Sequence, residues 1–450
     1  LLPALGAARS VLQLARAPDD ADDGLPQAAQ HRPGLAQAVQ AAHRRAGRRA
    51  RAAVRARAHR ARRAGDRRRA RKVPRGGGAR GAYEVGVLSY VLDAFARVRG
   101  AAPRIDILCG TSVGAINACF LAAHLSDPTT GIRRLSNLWT ELDLPDVLGF
   151  GFRQALGLPR VLFGGGIDSV GVFDVAPMAK LVEREIPWRA ISRTLRHGHL
   201  GALSVSTTEV ASGRTVIFMQ TGPDGALPTV APPRTIIRGA HIGPLHALAS
   251  AAIPILFPPV RIGRELFMDG GVRQNTPIAP ALRLGATHIF AIGLSKDVSG
   301  VSTSPEDEKV PGAAFLLGKI LNAFLLDHVQ TDLEVMTRMN HIIEDAEKMY
   351  GPDFLHRVNA TADRRGALPY SSIRSLVVRP SEDIGRLAAE YVRRGNIRGS
   401  HAFVRRILTL VDVGEGTEAD LASYLLFDGA FARRLIDLGR ADAEARSPTP

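Results

Sequence analysis

The sequence predicts an α/β fold: a three-layer α/β/α sandwich around a mostly parallel sheet, with a helical C-terminal extension. From Gly76 onward, short apolar runs bounded by glycine alternate with longer segments whose apolar residues recur at helical spacing. Such alternation is typical of strands joined by crossover helices, and continuous apolar strands indicate a sheet covered on both faces. Composition divides the chain into residues 1–75, 76–300 and 301–450.

Residues 1–75 are rich in alanine and arginine. The net charge of the chain is +16, and residues 44–75 alone hold fifteen Arg and one Lys against Asp66. Two interpretations stay open: a solvated, disordered basic tail for nucleic acid or an anionic membrane, or a segment translated out of frame, because GC-rich DNA yields such residues in wrong frames. Residues 44–75 have no aromatic side chains for base stacking, so no specific nucleic acid is expected.

Residues 76–300 divide into successive strands and helices. In chain order, the patterns predict a glycine loop at 76–81, a helix at 82–98, a strand at 105–110, helices at 112–125 and 131–143, a hairpin at 201–220 with its turn near Ser212–Gly213, a helix at 244–259, and strands at 265–271 and 286–295. Residues after about 312 are predicted to be mostly helical, with one more strand at 373–380.

A short motif, GTSVG, follows the first of these strands. It fits G-x-S-x-G, with Ser112 between Gly110 and Gly114. Small residues two positions before and after a nucleophilic serine allow a sharp turn from strand to helix, and a helix N-terminus favours the negative charge that develops there. Serine is also a common helix N-cap. Ser112 is therefore either a nucleophile or a capping residue.

Three consecutive glycines, Gly76, Gly77 and Gly78, open the block GGGARG. Such a run lets several backbone N–H groups point at one place, as an oxyanion hole requires. The same letters match the dinucleotide fingerprint G-x-G-x-x-G, which needs a strand before it and an acidic residue about 20 positions later. The preceding letters, RARKVP, do not resemble a strand, and Asp93 and Asp106 stand at unsuitable distances.

A third motif places Asp269 at the end of a predicted strand, directly before Gly270 and Gly271. A carboxylate in this position can point into a cleft, although aspartate is also common in ordinary turns. No group of residues has credible metal-ligand spacing, so neither a metal nor a cofactor is expected. The two cysteines, Cys109 and Cys119, are too few for a disulfide scaffold and are predicted to be buried thiols.

As a set, the motifs resemble those of the patatin-like lipid acyl hydrolases, especially bacterial members, and they stand in that family's order. The matching blocks are GGGARGAYEVGVL, GTSVGAINA, SAAIPILFPPV and DGGVRQNTPI. Residues 170–186 and 421–443 also resemble segments of bacterial members, so the likeness extends from Gly76 to about Ala443. The resemblance implies the three-layer sandwich and an enzyme that hydrolyses lipid or other acyl esters.

The resemblance also implies roles for the matched residues. Ser112 would be the nucleophile and Asp269 the base of a Ser–Asp dyad, working through an acyl-enzyme intermediate. The glycines at 76–78 would supply the oxyanion N–H donors. The supporting positions of the motifs are Arg80, where the family usually has a basic residue, and Gly81, Gly110, Gly114, Gly270 and Gly271.

The chain departs from the family before the glycine run. Family members normally have an apolar strand there, whereas this sequence has Arg75 at the end of the arginine-rich segment. The sheet is therefore predicted to lack a central strand, which would leave the oxyanion loop poorly anchored.

Two other functions stay open. A standard α/β hydrolase would use a Ser-Asp-His triad with a histidine after Asp269. The histidines that follow it stand in no recognisable motif: His288, His328, His341, His356 and His401. A non-enzymatic protein would instead bind lipid or nucleic acid through the basic tail, and deletion of residues 1–75 would then remove its function.

The location expected from the sequence is cytoplasmic or at a membrane surface. The chain has no apolar run of about 18 residues, the length that a membrane span needs, and no recognisable signal peptide is predicted. A lipid substrate is compatible with peripheral membrane contact.

Overall fold

The structure, a computed structural model, describes residues 12–16, 79–147, 174–273, 278–296, 328–364, 369–394 and 420–446. The described elements belong to one compact unit. The basic segment at 44–75 and the glycines at 76–78 lie outside the described residues. No helix in the described ranges is long and apolar enough to cross a membrane.

The described strands form one mixed sheet of nine strands. They are β1 (Leu12–Arg16), β2 (Ile107–Thr111), β3 (Ala202–Glu209), β4 (Thr215–Thr221), β5 (Thr235–Gly239), β6 (Val260–Ile262), β7 (Glu265–Asp269), β8 (His288–Ile292) and β9 (Arg374–Val378). Across the sheet the order is β5-β4-β3-β2-β1-β8-β9, and β7 pairs with both β3 and β6.

The α-helices of the described residues surround this sheet in sequence as follows. They are α1 (Gly81–Arg99), α2 (Val113–His124), α3 (Pro128–Thr140), α4 (Ala176–Glu185), α5 (Trp188–Arg196), α6 (Pro244–Ser250), α7 (Ala279–Arg283), α8 (His328–Tyr350), α9 (Phe354–Arg364), α10 (Ile384–Arg393), α11 (Asp420–Leu425) and α12 (Gly429–Ala445). Helix α2, which follows the G-x-S-x-G motif, is buried from Val113 to Ala123.

Four strands of the sheet run in one direction. Strand β2 is parallel to β3, β8 is parallel to β9, and β1 lies antiparallel between β2 and β8. Strand β4 is antiparallel to β3 because a hairpin joins them, and the turn residue Gly213 has a φ of 63° that suits glycine. The α/β class is confirmed; the sheet is mixed, so a mostly parallel sheet is not, and the three-layer arrangement stays a prediction.

Strand β1 occupies the place that the sequence predicted to be empty. It pairs with β2 through Leu14 and Leu108, and with β8 through Leu14 and Phe290. The prediction of a missing central strand is therefore wrong. A gap there would leave the N–H and C=O groups of β2 and β8 unpaired in the interior, and a strand from much earlier in the chain pairs with them.

Residues beyond 300 complete the fold around the site. Strand β9 extends the sheet beside β8, and α12 packs along α1. Where these helices meet, a Cβ on Gly86 would lie 2.1 Å from the Ile436 carbonyl oxygen, and one on Gly439 would lie 2.3 Å from the Tyr83 carbonyl oxygen. Only glycine permits such a close approach of two backbones.

Candidate active site

Two strands end beside each other along β3. Strand β2 is parallel to β3 and ends with Thr111 opposite Ser206. Strand β7 is antiparallel and ends with Asp269 opposite Thr207, the next residue of β3. Because Ser112 directly follows Thr111, the register of the sheet brings Ser112 and Asp269 together although they are far apart in the sequence.

Ser112 forms a strained turn between β2 and α2. Its φ of 56° and ψ of −136° are a combination that residues other than glycine rarely adopt. Gly110 permits the turn, since a Cβ there would lie 2.5 Å from Ala115 Cα and from the Gly114 carbonyl oxygen. Ser112 stands at the N-cap position of α2, but its side chain makes no capping hydrogen bond. Capping therefore does not account for a serine at this position.

A residue to which the sequence analysis gave no role, Ser250, holds this turn in place. Ser250 is fully buried at the end of α6. Its Oγ accepts a hydrogen bond from the Ser112 N–H at 2.9 Å and donates one to the Ser206 carbonyl oxygen at 2.6 Å. The only sequence signal was its place at the start of SAAIPILFPPV, because both partners are distant in the chain.

Asp269 is the last residue of β7 and has no solvent exposure. Its Oδ1 accepts a hydrogen bond from the Gly271 N–H at 2.8 Å, and its own N–H donates to the Ala252 carbonyl oxygen at 2.9 Å. A Cβ on Gly270 would lie 2.3 Å from the Ser206 carbonyl oxygen, so this position requires glycine. The two glycines after Asp269 thus turn the chain and fix one carboxylate oxygen.

The environment of Asp269 suits proton exchange near neutral pH. Burial raises its pKa from 3.8 to about 7, while hydrogen bonding to the Ser112 side chain and to the Gly271 N–H opposes that rise. Oδ2 is buried and makes no hydrogen bond of full geometry, so the Ser112 hydroxyl acts on the carboxylate at longer range than a formed hydrogen bond. A base with a pKa near the working pH is well matched to general base catalysis.

The first turn of α1 lies against the same strand-to-helix turn. A Cβ on Gly81 would lie 2.8 Å from Val113 Cγ2, next to the candidate nucleophile. Asn117 Nδ2 donates to the Gly81 carbonyl oxygen at 3.2 Å and to Glu84 Oε2 at 2.9 Å, and Trp139 Nε1 donates to Asn117 Oδ1 at 3.1 Å. Burial raises the pKa of Glu84 to about 8. This network links α1, α2 and α3 beneath the site.

Arg80, the basic residue of the glycine block, is buried. Its Nε donates to Ser423 Oγ at 2.7 Å, and its guanidinium carbon lies 4.4 Å from the centre of the Tyr424 ring. The predicted oxyanion glycines at 76–78 precede it directly in the sequence and lie outside the described residues. Sequence analysis therefore placed Arg80 in the right motif but gave no sign of its C-terminal partners.

The triad alternative requires a histidine beside the acid. Among the residues that the structure describes, none of the hydrogen bonds of the Asp269 carboxylate comes from a histidine. The histidines after Asp269 lie on β8 (His288), on α8 (His328 and His341), on α9 (His356), or outside the described residues (His401). The geometry therefore favours a dyad over a triad.

Two other groups of residues lie apart from this chemistry. Cys109 and Cys119 are buried free thiols, and burial raises the pKa of Cys109 to about 12. Within the described ranges, no three His, Cys, Asp or Glu side chains could together hold a metal ion. The candidate site is thus built around Ser112 and Asp269.

Comparison with known families gives one match. The sequence model of the patatin-like phospholipases matches residues 73–282, which include Ser112, Asp269 and the glycine run. The curated proteins contain no match to the chain. The matched segment covers the strained turn, the support from Ser250 and the end of β7. Residues 73–282 therefore belong to the patatin-like phospholipase family, and the protein is a hydrolase that acts on carboxylic ester bonds.

Proposed function

We propose that the protein is a serine lipid acyl hydrolase in which Ser112 is the nucleophile and Asp269 the base. The observation that carries this proposal is the meeting of two strand ends along β3, with a strained Ser112 beside a buried Asp269 whose pKa is about 7. Strain at a non-glycine residue persists only where the surrounding structure enforces it, which is typical of catalytic positions.

The reaction would proceed through an acyl-enzyme. The Asp269 carboxylate takes the proton of the Ser112 hydroxyl as Oγ attacks the ester carbonyl. N–H groups of the glycines at 76–78 would stabilise the oxyanion that forms. When this intermediate collapses, the ester C–O bond breaks, and the leaving alcohol takes the proton from Asp269. Water then attacks the acyl-Ser112 ester and gives a proton to Asp269, which returns it to Ser112 as the carboxylic acid leaves.

Exposed apolar side chains close to the site support an ester with an apolar acyl chain. Leu245 and Ile255 lie on either side of Ser250 in the sequence, and each is 50% exposed. Ile255 has a φ of 72°, a rare conformation for a β-branched residue. It stands three residues after Ala252, which accepts the hydrogen bond from the Asp269 N–H. These positions also support peripheral contact with a lipid surface.

Trapping the acyl-enzyme tests this proposal directly. The full chain is incubated with a p-nitrophenyl ester, quenched in acid and digested with trypsin. We expect the acyl group on Ser112, in the peptide between Arg104 and Arg133, with fragment ions that separate it from Ser126. Stable acylation of a different serine, or turnover without any acylated serine, would contradict the proposed mechanism.

A second test concerns the support of the nucleophile. The Ser250→Ala variant is expected to lower kcat about 10- to 100-fold with little change in KM, because the Ser112 N–H loses its acceptor and the turn relaxes. Steady-state kinetics with a p-nitrophenyl ester measure the effect, and Ser212→Ala, in the exposed β3–β4 turn, is the control. A Ser250→Ala enzyme with the kcat of the wild type would exclude this positioning role.

A further inference from the structure

The segment that holds Arg80 lies outside the part of the chain that matches the family. Ser423 and Tyr424 belong to α11, whereas the match ends at residue 282. Both are buried, and they approach Arg80 from two sides: a hydroxyl on Nε and an aromatic ring on the guanidinium face. A buried guanidinium needs such partners, and contact with an aromatic face is a favourable one.

We propose that Ser423 and Tyr424 are positioning residues for the ester hydrolysis. They hold Arg80 and, through it, the turn between the glycine run and α1 in the arrangement that the chemistry at Ser112 requires. The inference rests on the proposed function for its catalytic consequence, although the contact itself does not. We call Ser423 and Tyr424 the C-terminal clamp.

The clamp is fixed on its own side by α12. Tyr83 Oη donates to Asp442 Oδ2 at 3.0 Å, and the same oxygen accepts from the Ser381 N–H at 3.0 Å. Asp428 caps α12 by accepting from the Ala430 N–H at 2.9 Å. Together with the glycine contacts between α1 and α12, these bonds make the C-terminal helices a rigid support for the start of α1.

The path from the clamp to the nucleophile is short. Arg80 directly precedes Gly81, and Gly81 is in contact with Val113, the residue after Ser112. A displacement of the first turn of α1 would therefore act on the turn that presents Ser112. Misplacement of reacting groups by about 1 Å can cost about 10²-fold in rate.

The position of Arg80 also bears on what the arginine does. Only 5% of its surface is exposed, and its guanidinium is in contact with protein side chains. Arg80 is therefore assigned a positioning role rather than direct contact with the substrate. Positioning predicts a loss of kcat when the clamp is weakened, whereas substrate contact would predict a rise in KM.

The test compares Tyr424→Leu with Tyr424→Phe in the full chain. Tyr424→Leu is expected to lower kcat about tenfold or more at unchanged KM, since the ring over Arg80 is lost. Tyr424→Phe keeps the ring and is expected to restore kcat toward that of the wild type. Asn340→Ala is the stability control, because it removes the bonds to the Ile373 backbone on α8 and leaves Arg80 untouched. It should lower the Tm without lowering kcat.

Hydrogen exchange separates failure of this inference from failure of the proposed function. The N–H groups of Ala82 and Tyr83 donate to the carbonyl oxygens of Ala79 and Arg80, so they report on the first turn of α1. We expect faster exchange at both in Tyr424→Leu, and also in Ser423→Ala, which is the smaller change should the leucine variant not fold. Unchanged exchange together with unchanged kcat would overturn the inference. Faster exchange in a protein that hydrolyses no ester would support the clamp and contradict the proposed function.

Discussion

Replacing Ser112 with alanine is expected to lower kcat for a p-nitrophenyl ester by about a thousandfold or more, with the fold intact. Loss of the nucleophile removes the covalent step, and nucleophile deletions in serine hydrolases have effects of this size or larger. Stability should barely change. Alanine keeps the Cβ, so the strain at φ 56° persists, and no capping hydrogen bond is lost because Ser112 makes none.

A second variant at this position separates strain from chemistry. Glycine adopts positive φ at little cost, so Ser112→Gly is expected to be as inactive as Ser112→Ala but more stable, by about 1 kcal/mol. Kinetics and urea unfolding of the two variants, beside wild type and Ser212→Ala, measure both effects. Substantial Ser112-independent turnover would rule out Ser112 as the nucleophile, and equal stability of the two variants would contradict the strain.

Local sequence signals predicted the parts of the site that depend on local geometry. The strand and helix around G-x-S-x-G were predicted at 105–110 and 112–125 and are observed at Ile107–Thr111 and Val113–His124. The hairpin with its turn at Ser212–Gly213 is also confirmed. In each case the spacing of glycines and the apolar period act within a few residues, so they can be read without tertiary information.

Boundaries set by capping and by proline were less accurate. Helix α3 begins at Pro128 rather than 131, because Asp127 accepts a hydrogen bond from the Thr130 N–H and Pro128 fits the first turn. Helix α6 ends at Ser250 rather than 259, since Pro254, Pro258 and Pro259 cannot continue it. The early end of α6 is what places Ser250 beneath the turn.

Long-range contacts could not be predicted from one sequence. The pairing of Asp269 with Thr207 depends on strand register, and the hydrogen bonds of Ser250 join three separate segments. Strand β1 lies in a segment whose composition suggested no packed structure, yet pairing with two open strand edges outweighs that local signal. The partners of Arg80 come from the far end of the chain. Local propensity carries no information about any of these contacts.

The Asp269→Asn variant is expected to lower kcat by about a thousandfold or more, because no carboxylate remains to accept the Ser112 proton. In the wild type, kcat/KM should rise with pH to a plateau above about 7, the pKa of Asp269, since only the deprotonated form is a base. Stopped assays across pH 5–9 (on the order of one reading per half unit) measure this limb. A rising limb near pH 7 in the residual activity of Asp269→Asn would assign it to another group.

Stability gives an independent reading of the same residue. The pKa of Asp269 is about 7 in the folded protein and near 3.8 in the unfolded chain, so the folded state binds more protons between these values. The contribution of Asp269 to the free energy of unfolding is thus fully present below about pH 4 and is lost as pH rises through about 7, a loss of about 4 kcal/mol. Asparagine cannot ionise, so Asp269→Asn should become increasingly more stable than the wild type over this range.

A carboxyl on the same strand supplies the control of opposite sign. Hydrogen bonding to Arg238 holds the pKa of Glu265 below its usual value, so its contribution is present at neutral pH and lost in acid. Glu265→Gln should therefore lose stability relative to the wild type at neutral pH, where Asp269→Asn gains it. Parallel unfolding profiles for the wild type and Asp269→Asn from pH 4 to 8 would refute the raised pKa (whatever the kinetics). Opposite profiles for the two variants would locate the neutral-pH base of this site at the end of β7.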